Sequence, residues 1–255
     1  MISTPSFSRE EHNVAQVIEE YIKKYDFEPK RKGNNLWIQN KDFDAAKPTI
    51  LLNSHMDTVR PVSGWTKEPF SPEEDGDILY GLGSNDAGAS LISLMHAFFI
   101  LTSKGQDYNL IFLATCEEEV SGNGGAEAMI AELPEIAFGI VGEPTQMNPA
   151  IAEKGLLVLD CTAHGKAGHA ARNEGDNAIY KALKDIEWFR TYAFSEVSEL
   201  LGPVKMTVSM INAGTQHNVV PDRCDFVVDV RSNELYSNEE LYHLIDKHTE
   251  CEVKP

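Results

Sequence analysis

The chain reads as short apolar runs broken by polar turns. Residues 9–25 place apolar side chains at helical spacing, with Ser8 as an N-cap and Glu11 three residues on, the pattern of a capping box. Extended runs follow at 34–40 (NNLWIQN) and 49–55 (TILLNSH), and the proline- and glycine-rich stretch 60–86 predicts turns. A buried helix is predicted over 87–103, a strand over 108–116 (YNLIFLATC), a helix near 124–132 and a strand over 138–142 (FGIVG). Short apolar strands alternating with helices predict an α/β fold, with a mainly parallel sheet covered on both faces.

After about residue 153 the rhythm changes. The pattern predicts a strand at 155–165, a helix at 173–193, strands at 204–214 and 222–232, and a helix at 238–250. That order, β-α-β-β-α, lacks only a last strand to complete a split βαβ, ferredoxin-like module. The sequence therefore predicts an α/β domain over 1–153 and an α+β domain over 154–255.

Composition narrows the function. A formal charge of −18 argues against nucleic acid, whose phosphates require clustered Lys and Arg. The most apolar run, 89–103, is too short to span a bilayer and contains His96, so no membrane role is expected. No basic segment followed by an apolar one opens the chain. Cys116, Cys161, Cys224 and Cys251 have no close-pair spacing, which excludes a cysteine zinc knuckle and offers no disulfide framework. A cytoplasmic protein is expected.

The chemistry gathers where the strands of the first domain end. TILLNSH ends in His55 and leads to Asp57, ILYGLGSND ends in Asp86, LIFLATC leads to Glu117, Glu118 and Glu119, and GIVG leads to Glu143. Singly, each is an ordinary loop end, helix start or turn. Together they fall on the edge where open α/β sheets place their ligand crevice. One imidazole with several carboxylates and no thiolate suits Zn²⁺, Mn²⁺ or Co²⁺, with Zn²⁺ favoured in a hydrolase. Two metals close together need a bridging carboxylate, and the adjacent Glu118 and Glu119 can supply a general base and a ligand. The rival reading of YGLGSNDAG as a nucleotide loop fails, because glycines at 81, 83 and 88 break the G-x-G-x-x-G spacing.

The segments LLNSHMDTV, GLGSNDAG, TCEEEVSGNGG and VGEPT, in that order, resemble the metal-dependent amidohydrolase family of acetylornithine deacetylase, succinyl-diaminopimelate desuccinylase and glutamate carboxypeptidase. HGKAGHAARNEGDNAI and GTQHNVVPDRCDFVVDVR are similar to that family's second-domain motifs, so the resemblance spans roughly 45–231. It implies a two-metal catalytic α/β domain and a smaller lid domain through which a homodimer forms. It further implies that His55 and Glu143 bind the first metal, Asp86 bridges both, Glu119 binds the second, and Glu118 is the general base. Asp57 would orient His55, and His169 would stabilise the oxyanion in the partner subunit's site. Asn218 and Arg231 would hold the substrate's carboxylate, and a cis peptide is implied at Asp86–Ala87. The expected reaction is hydrolysis of an N-acyl amino acid, N-acetylornithine first, with succinyl-diaminopimelate or a dipeptide as alternatives. An inactive metal-binding scaffold is the reading from another class. The family also takes a histidine ligand from beyond the lid. No match to it occurs in this sequence, so the expectation is a fragment of a longer protein with a weak second metal site, an apolar surface left uncovered, and an incomplete C-terminal part of the catalytic domain.

Overall fold

The computed structural model describes all 255 residues, in two compact units, Met1–Asn148 and Pro149–Pro255. In the N-terminal unit, helix α1 (His12–Lys23) precedes strands β1 (Lys30–Lys32), β2 (Asn35–Gln39) and β3 (Thr49–His55). A small hairpin of β4 (Glu73–Asp75) and β5 (Ile78–Tyr80) follows, within the stretch that the sequence marks only as turns. Helix α2 (Ser90–Thr102), β6 (Asn109–Thr115), the one-turn α3 (Ala126–Met129) and β7 (Phe138–Val141) complete the unit.

The five-stranded sheet runs β1-β2-β6-β3-β7. Strands β6, β3 and β7 are parallel, but β1–β2 and β2–β6 are antiparallel, so the sheet is mixed rather than mainly parallel. The departure starts at a tight hairpin: Lys32 pairs with Asn35, and Gly33 between them takes a φ of 60° that favours glycine.

Strand β6 is buried along its whole length, and its alternation divides the core between the two faces of the sheet. Leu110, Phe112 and Ala114 pack with Val14, Ile18 and Ile22 of α1 and with Leu91, Met95 and Phe98 of α2. Ile111 and Leu113 face Trp37 and Met129 on the other side. Full burial of each such Leu or Phe contributes about 1.5–3 kcal/mol. Helix α2 buries one face only, since Ile92 and Ile100 are exposed.

The predicted capping box at Ser8 and Glu11 does not form. The helix starts at His12, Glu11 is its N-cap without a side-chain cap bond, and both side chains turn to other partners described below.

The C-terminal unit contains β8 (Gly155–His164), β9 (Gly168–His169), α4 (Ala178–Thr191), β10 (Val197–Ser198), β11 (Gly202–Pro203), β12 (Lys205–Ala213), β13 (Val219–Val220), β14 (Arg223–Ser232), α5 (Asn238–His248) and β15 (Glu252–Lys254). Its main sheet runs β12-β14-β8-β15, antiparallel throughout. The sequence expects the module's missing last strand to begin at 251–255, after the last helix. The structure has a short strand there, in which Val253 is buried and pairs with Cys161. Leu159, Cys161, Ala163, Phe226, Val228 and Val230 pack against Ala182 and Phe189 of α4 and Leu241 and Ile245 of α5. Ser237 and Glu240 form the capping box that starts α5.

Candidate metal centre

Three parallel strands end side by side, and each delivers a polar group to the same edge. Strand β3 ends in His55, whose ring is 1% exposed. Its Nδ1 donates to the Asp57 backbone carbonyl at 2.9 Å and lies 3.5 Å from the Asp57 carboxylate. This leaves Nε2 facing the site, 3.1 Å from Asp86 Oδ1, 3.8 Å from Glu143 Oε2 and 3.9 Å from Glu118 Oε2. Asp86 comes from an irregular helical turn, Ser84–Ala89, in which Asp86 and Ala87 leave helical geometry and the Asp86–Ala87 peptide is cis. Glu118 and Glu119 follow β6 in a tight turn, and Glu143 follows β7.

Ligand atoms of His55, Asp86 and Glu119 lie within 4.8 Å of one another. Imidazole plus two carboxylates at that spacing is a donor set that fits a divalent cation, and Glu143 and Glu118 stand within reach of the same imidazole nitrogen.

The electrostatics agree. Burial works against charge on His55, but the Asp57 hydrogen bond and the carboxylates of Glu143, Asp57 and Glu118 outweigh it and raise its pKa to about 9. Burial, reinforced by Glu118, Asp86 and Glu119, raises the Glu143 carboxyl to about 7 against the pull of His55. Glu119 is raised as well, by burial and by Asp86. Carboxylates crowded in this way form a negative field that a cation would satisfy.

Asp57 behaves differently. Burial would raise its pKa, yet hydrogen bonds from His55, Ser8 and the backbone of Glu118 and Glu119 hold it below the ordinary carboxylate range. It is fully buried, and its oxygens accept from Ser8 Oγ at 2.7 Å, Glu118 N–H at 3.0 Å and Glu119 N–H at 3.1 Å. Asp57 therefore faces two ways: its main chain orients His55, and its side chain holds the turn carrying Glu118 and Glu119.

Sequence reasoning missed Ser8, Glu11 and Asn35 as parts of this architecture. Asn35 is buried, accepts from Cys116 N–H and donates to the Gly124 carbonyl, bracketing the loop after β6. Their partners are distant in sequence, so no local signal marks them. A cavity of about 880 Å³ adjoins His55 and Asp57, with Met56, Phe70, Leu79 and Leu82 on its walls. Thr58 lines it too, and its Oγ1 is buried without a hydrogen-bond partner.

In the C-terminal unit, pairing of β9 with β13 brings His169 near Asn218: Val219 is opposite His169, and Ala170 N–H donates to the Asn218 carbonyl at 3.0 Å. Both residues are exposed. Arg231 is not with them. It lies eight residues into β14 from Arg223, about 26 Å along the strand at roughly 3.3 Å per residue, and its guanidinium is engaged by Asp229 at 2.9 and 3.1 Å.

A model of peptidase family M20/M25/M40 matches residues 51–250. Among curated proteins, the chain is 26% identical to a succinyl-diaminopimelate desuccinylase of Wolbachia pipientis subsp. Culex pipiens, covering 97% of this chain and 66% of that protein. It is 29% identical to an acetylornithine deacetylase of Myxococcus xanthus, covering 73% of this chain and 50% of that protein. The chain thus spans about half to two thirds of the length of these relatives. Among solved structures, an M20 family metallo-carboxypeptidase from Sulfolobus solfataricus aligns with a TM-score of 0.70 at 21% identity, over 99% of this chain and 75% of that one. A tripeptidase from Staphylococcus aureus aligns with a TM-score of 0.67 at 21% identity, over 99% and 71%. At these identities the structural likeness establishes the α/β fold.

Proposed function

The chain belongs to peptidase family M20/M25/M40, and from that membership we propose that it hydrolyses the amide bond of an N-acyl amino acid, N-acetylornithine first, with a divalent metal bound at the edge formed by β3, β6 and β7. One observation carries this reading: His55 Nε2, Asp86 and Glu119 converge within 4.8 Å, with Glu118 and Glu143 beside the same nitrogen.

His55, Asp86, Glu119 and Glu143 would hold the metal, Zn²⁺ by preference and Co²⁺ or Mn²⁺ as substitutes, with Asp86 bridging where two ions bind. When bound, the metal supplies Lewis acidity that lowers the pKa of a water and polarises the amide carbonyl. Glu118 is assigned as the general base. It takes a proton from the attacking water onto its carboxylate and returns it to the departing amine nitrogen. Its backbone N–H donates to one buried oxygen of Asp57 and the next N–H, that of Glu119, to the other, and its carboxylate lies 3.9 Å from His55 Nε2. His169 is assigned to donate to the developing oxyanion, and Asn218 and Arg231 to bind the substrate's carboxylate.

The C-terminal unit is read as a ferredoxin-like lid and dimerisation module. Arg231 near the end of β14, and His169 beside Asn218 at the separate β9–β13 pair, are in keeping with a site shared between two copies.

Succinyl-diaminopimelate is the second substrate to test, since the relative covering 97% of the chain is named for its hydrolysis. The experiment follows primary-amine release from N-acetylornithine, N-succinyl-diaminopimelate and a dipeptide, with Zn²⁺ or Co²⁺ added, for the wild-type chain and Glu118→Gln. The expected result is faster release from the acyl amino acids, and a loss of about 10²–10⁴-fold in Glu118→Gln with metal affinity retained. No release from a metal-loaded chain would favour the inactive scaffold.

A further inference from the structure

The turn that carries Glu118 and Glu119 is a single 3-10 turn, Glu118–Val120, too short to brace itself. Glu117 and Ser121 both sit in the left-handed region, at φ 56° and 47°. Yet three consecutive backbone N–H groups are each taken by a fully buried carboxylate. Glu118 and Glu119 donate to Asp57, and Glu117 donates to Glu11 Oε1 at 3.1 Å.

Glu11 stands at the start of α1, 106 residues from the group it holds, and is 0% exposed. Its Oε1 also accepts from Arg9 N–H at 2.6 Å, and its Oε2 from Asn34 Nδ2 at 2.8 Å. The same short segment makes two further contacts. Ser8 Oγ donates to Asp57, and Arg9 Nε lies 3.7 Å from the Glu117 carboxylate. That carboxylate also leaves no room around it, since a Cβ on Gly122 or Gly124 would collide with it. Residues 8–11 therefore grip the turn through Ser8 on Asp57, Arg9 on the Glu117 side chain and Glu11 on the Glu117 backbone.

We propose that the Ser8–Glu11 segment is a positioning clamp for the turn carrying the general base and a metal ligand, with Glu11 as its principal residue. The functional meaning of the clamp rests on the metal-hydrolase reading above. Glu11 touches neither substrate nor metal in this scheme. It acts through the backbone of Glu117, which fixes where Glu118 and Glu119 begin. A buried carboxylate suits the task, because it accepts several N–H groups at once and charged acceptors bind them more strongly than neutral ones.

The test is Glu11→Gln, which keeps the shape but replaces one acceptor oxygen by an NH₂ donor. That donor would face two backbone N–H groups on one side or the Asn34 amide on the other. Amide hydrogen exchange measured by NMR should quicken at least tenfold at Glu117, Glu118 and Glu119, while Phe112 in β6 stays within twofold of wild type. Titration with Co²⁺ should show about tenfold weaker binding and an altered visible absorption band, a signature that a merely structural residue would leave unmoved. Should Glu11→Gln fail to fold, Ser8→Ala removes the hydroxyl donor to Asp57 and should quicken exchange at Glu118 and Glu119 severalfold. Unchanged exchange at the three amides, or acceleration spread equally along β6, would overturn the clamp. Absence of Co²⁺ binding in wild type and variant alike, with the local exchange difference intact, would defeat the metal reading and leave the clamp standing.

Discussion

The groups that support the N-terminal site and the candidate residues of the C-terminal unit are held in opposite ways, although Asp86 and Glu118 themselves are half exposed. In the N-terminal unit His55, Asp57 and Glu11 are almost wholly buried, and hydrogen bonds to fixed backbone groups restrain them. In the C-terminal unit His169 and Asn218 are exposed, and Arg231, 47% exposed at its side chain, is held by one neighbouring aspartate. The first arrangement is in place before any ligand arrives, because moving a buried charge away from its partners is costly. The second is loose, because exposed ion pairs contribute about 0–1 kcal/mol and yield readily to a better partner. A cation site needs the first kind of order, whereas a surface that engages substrate or a second chain can use the second kind.

The sharpest way to break this comparison is to remove the imidazole. His55→Ala leaves carboxylates alone, and Co²⁺ affinity measured by visible absorption should fall by more than the roughly 10–100-fold typical of losing an outer partner. A smaller fall would mean that the carboxylates suffice. Next comes Asp57→Asn, which turns one acceptor of backbone N–H groups into a donor facing them. It should weaken Co²⁺ binding by about 10–100-fold and lower the melting temperature as well.

Arg231→Ala sharpens the contrast from the exposed side. Its effect on stability should stay within about 0.5 kcal/mol in urea denaturation, while KM for an acyl amino acid rises and kcat changes little. A loss of stability matching that of Asp57→Asn would erase the distinction between the units.

The smallest effect concerns Glu252. The Lys254 hydrogen bond, followed by His164, holds its carboxyl down to about 2, below its ordinary value of 4.5. A depressed carboxyl stabilises the fold above its unfolded pKa and loses that contribution as protons bind the folded form. Its share is therefore fully present above about pH 4.5 and fades toward pH 2. The group is exposed, so Glu252→Gln should flatten acid denaturation only slightly, and only in that window.

How much of this was legible in the sequence depends on the distance between partners. That His55, Glu118, Glu119 and Glu143 lie on one edge could be read because each follows an apolar strand, a local signal. Asp86 instead comes from an irregular turn after a short exposed strand. The direction of β2 could not be read. Periodicity states which face a side chain occupies, not which way the neighbouring strand runs, and β6 is apolar on both faces in either case. Ser8 and Glu11 have partners that are illegible for a related reason. Their spacing fits a helix cap, and only the tertiary fold brings Asp57 and the Glu117 amide close enough to compete for them. The nearness of His169 and Asn218 depends on two-residue strands, too short for any periodic pattern to register.

Strand β7 bears on the colloidal behaviour of the protein. It pairs with β3 on one side only, and its Phe138, Ile140 and Val141 are 60%, 43% and 62% exposed. An uncovered apolar edge invites another strand to add to it. What opposes this is long-range repulsion between copies that each carry a formal charge of −18. Repulsion of that kind weakens as the Debye length shrinks from about 30 Å at 0.01 M salt to roughly 3 Å at 1 M, while the apolar attraction does not. Solutions of this chain should therefore scatter more light as salt is added, and Ile140→Lys, which places a charge on the edge itself, should keep them clear.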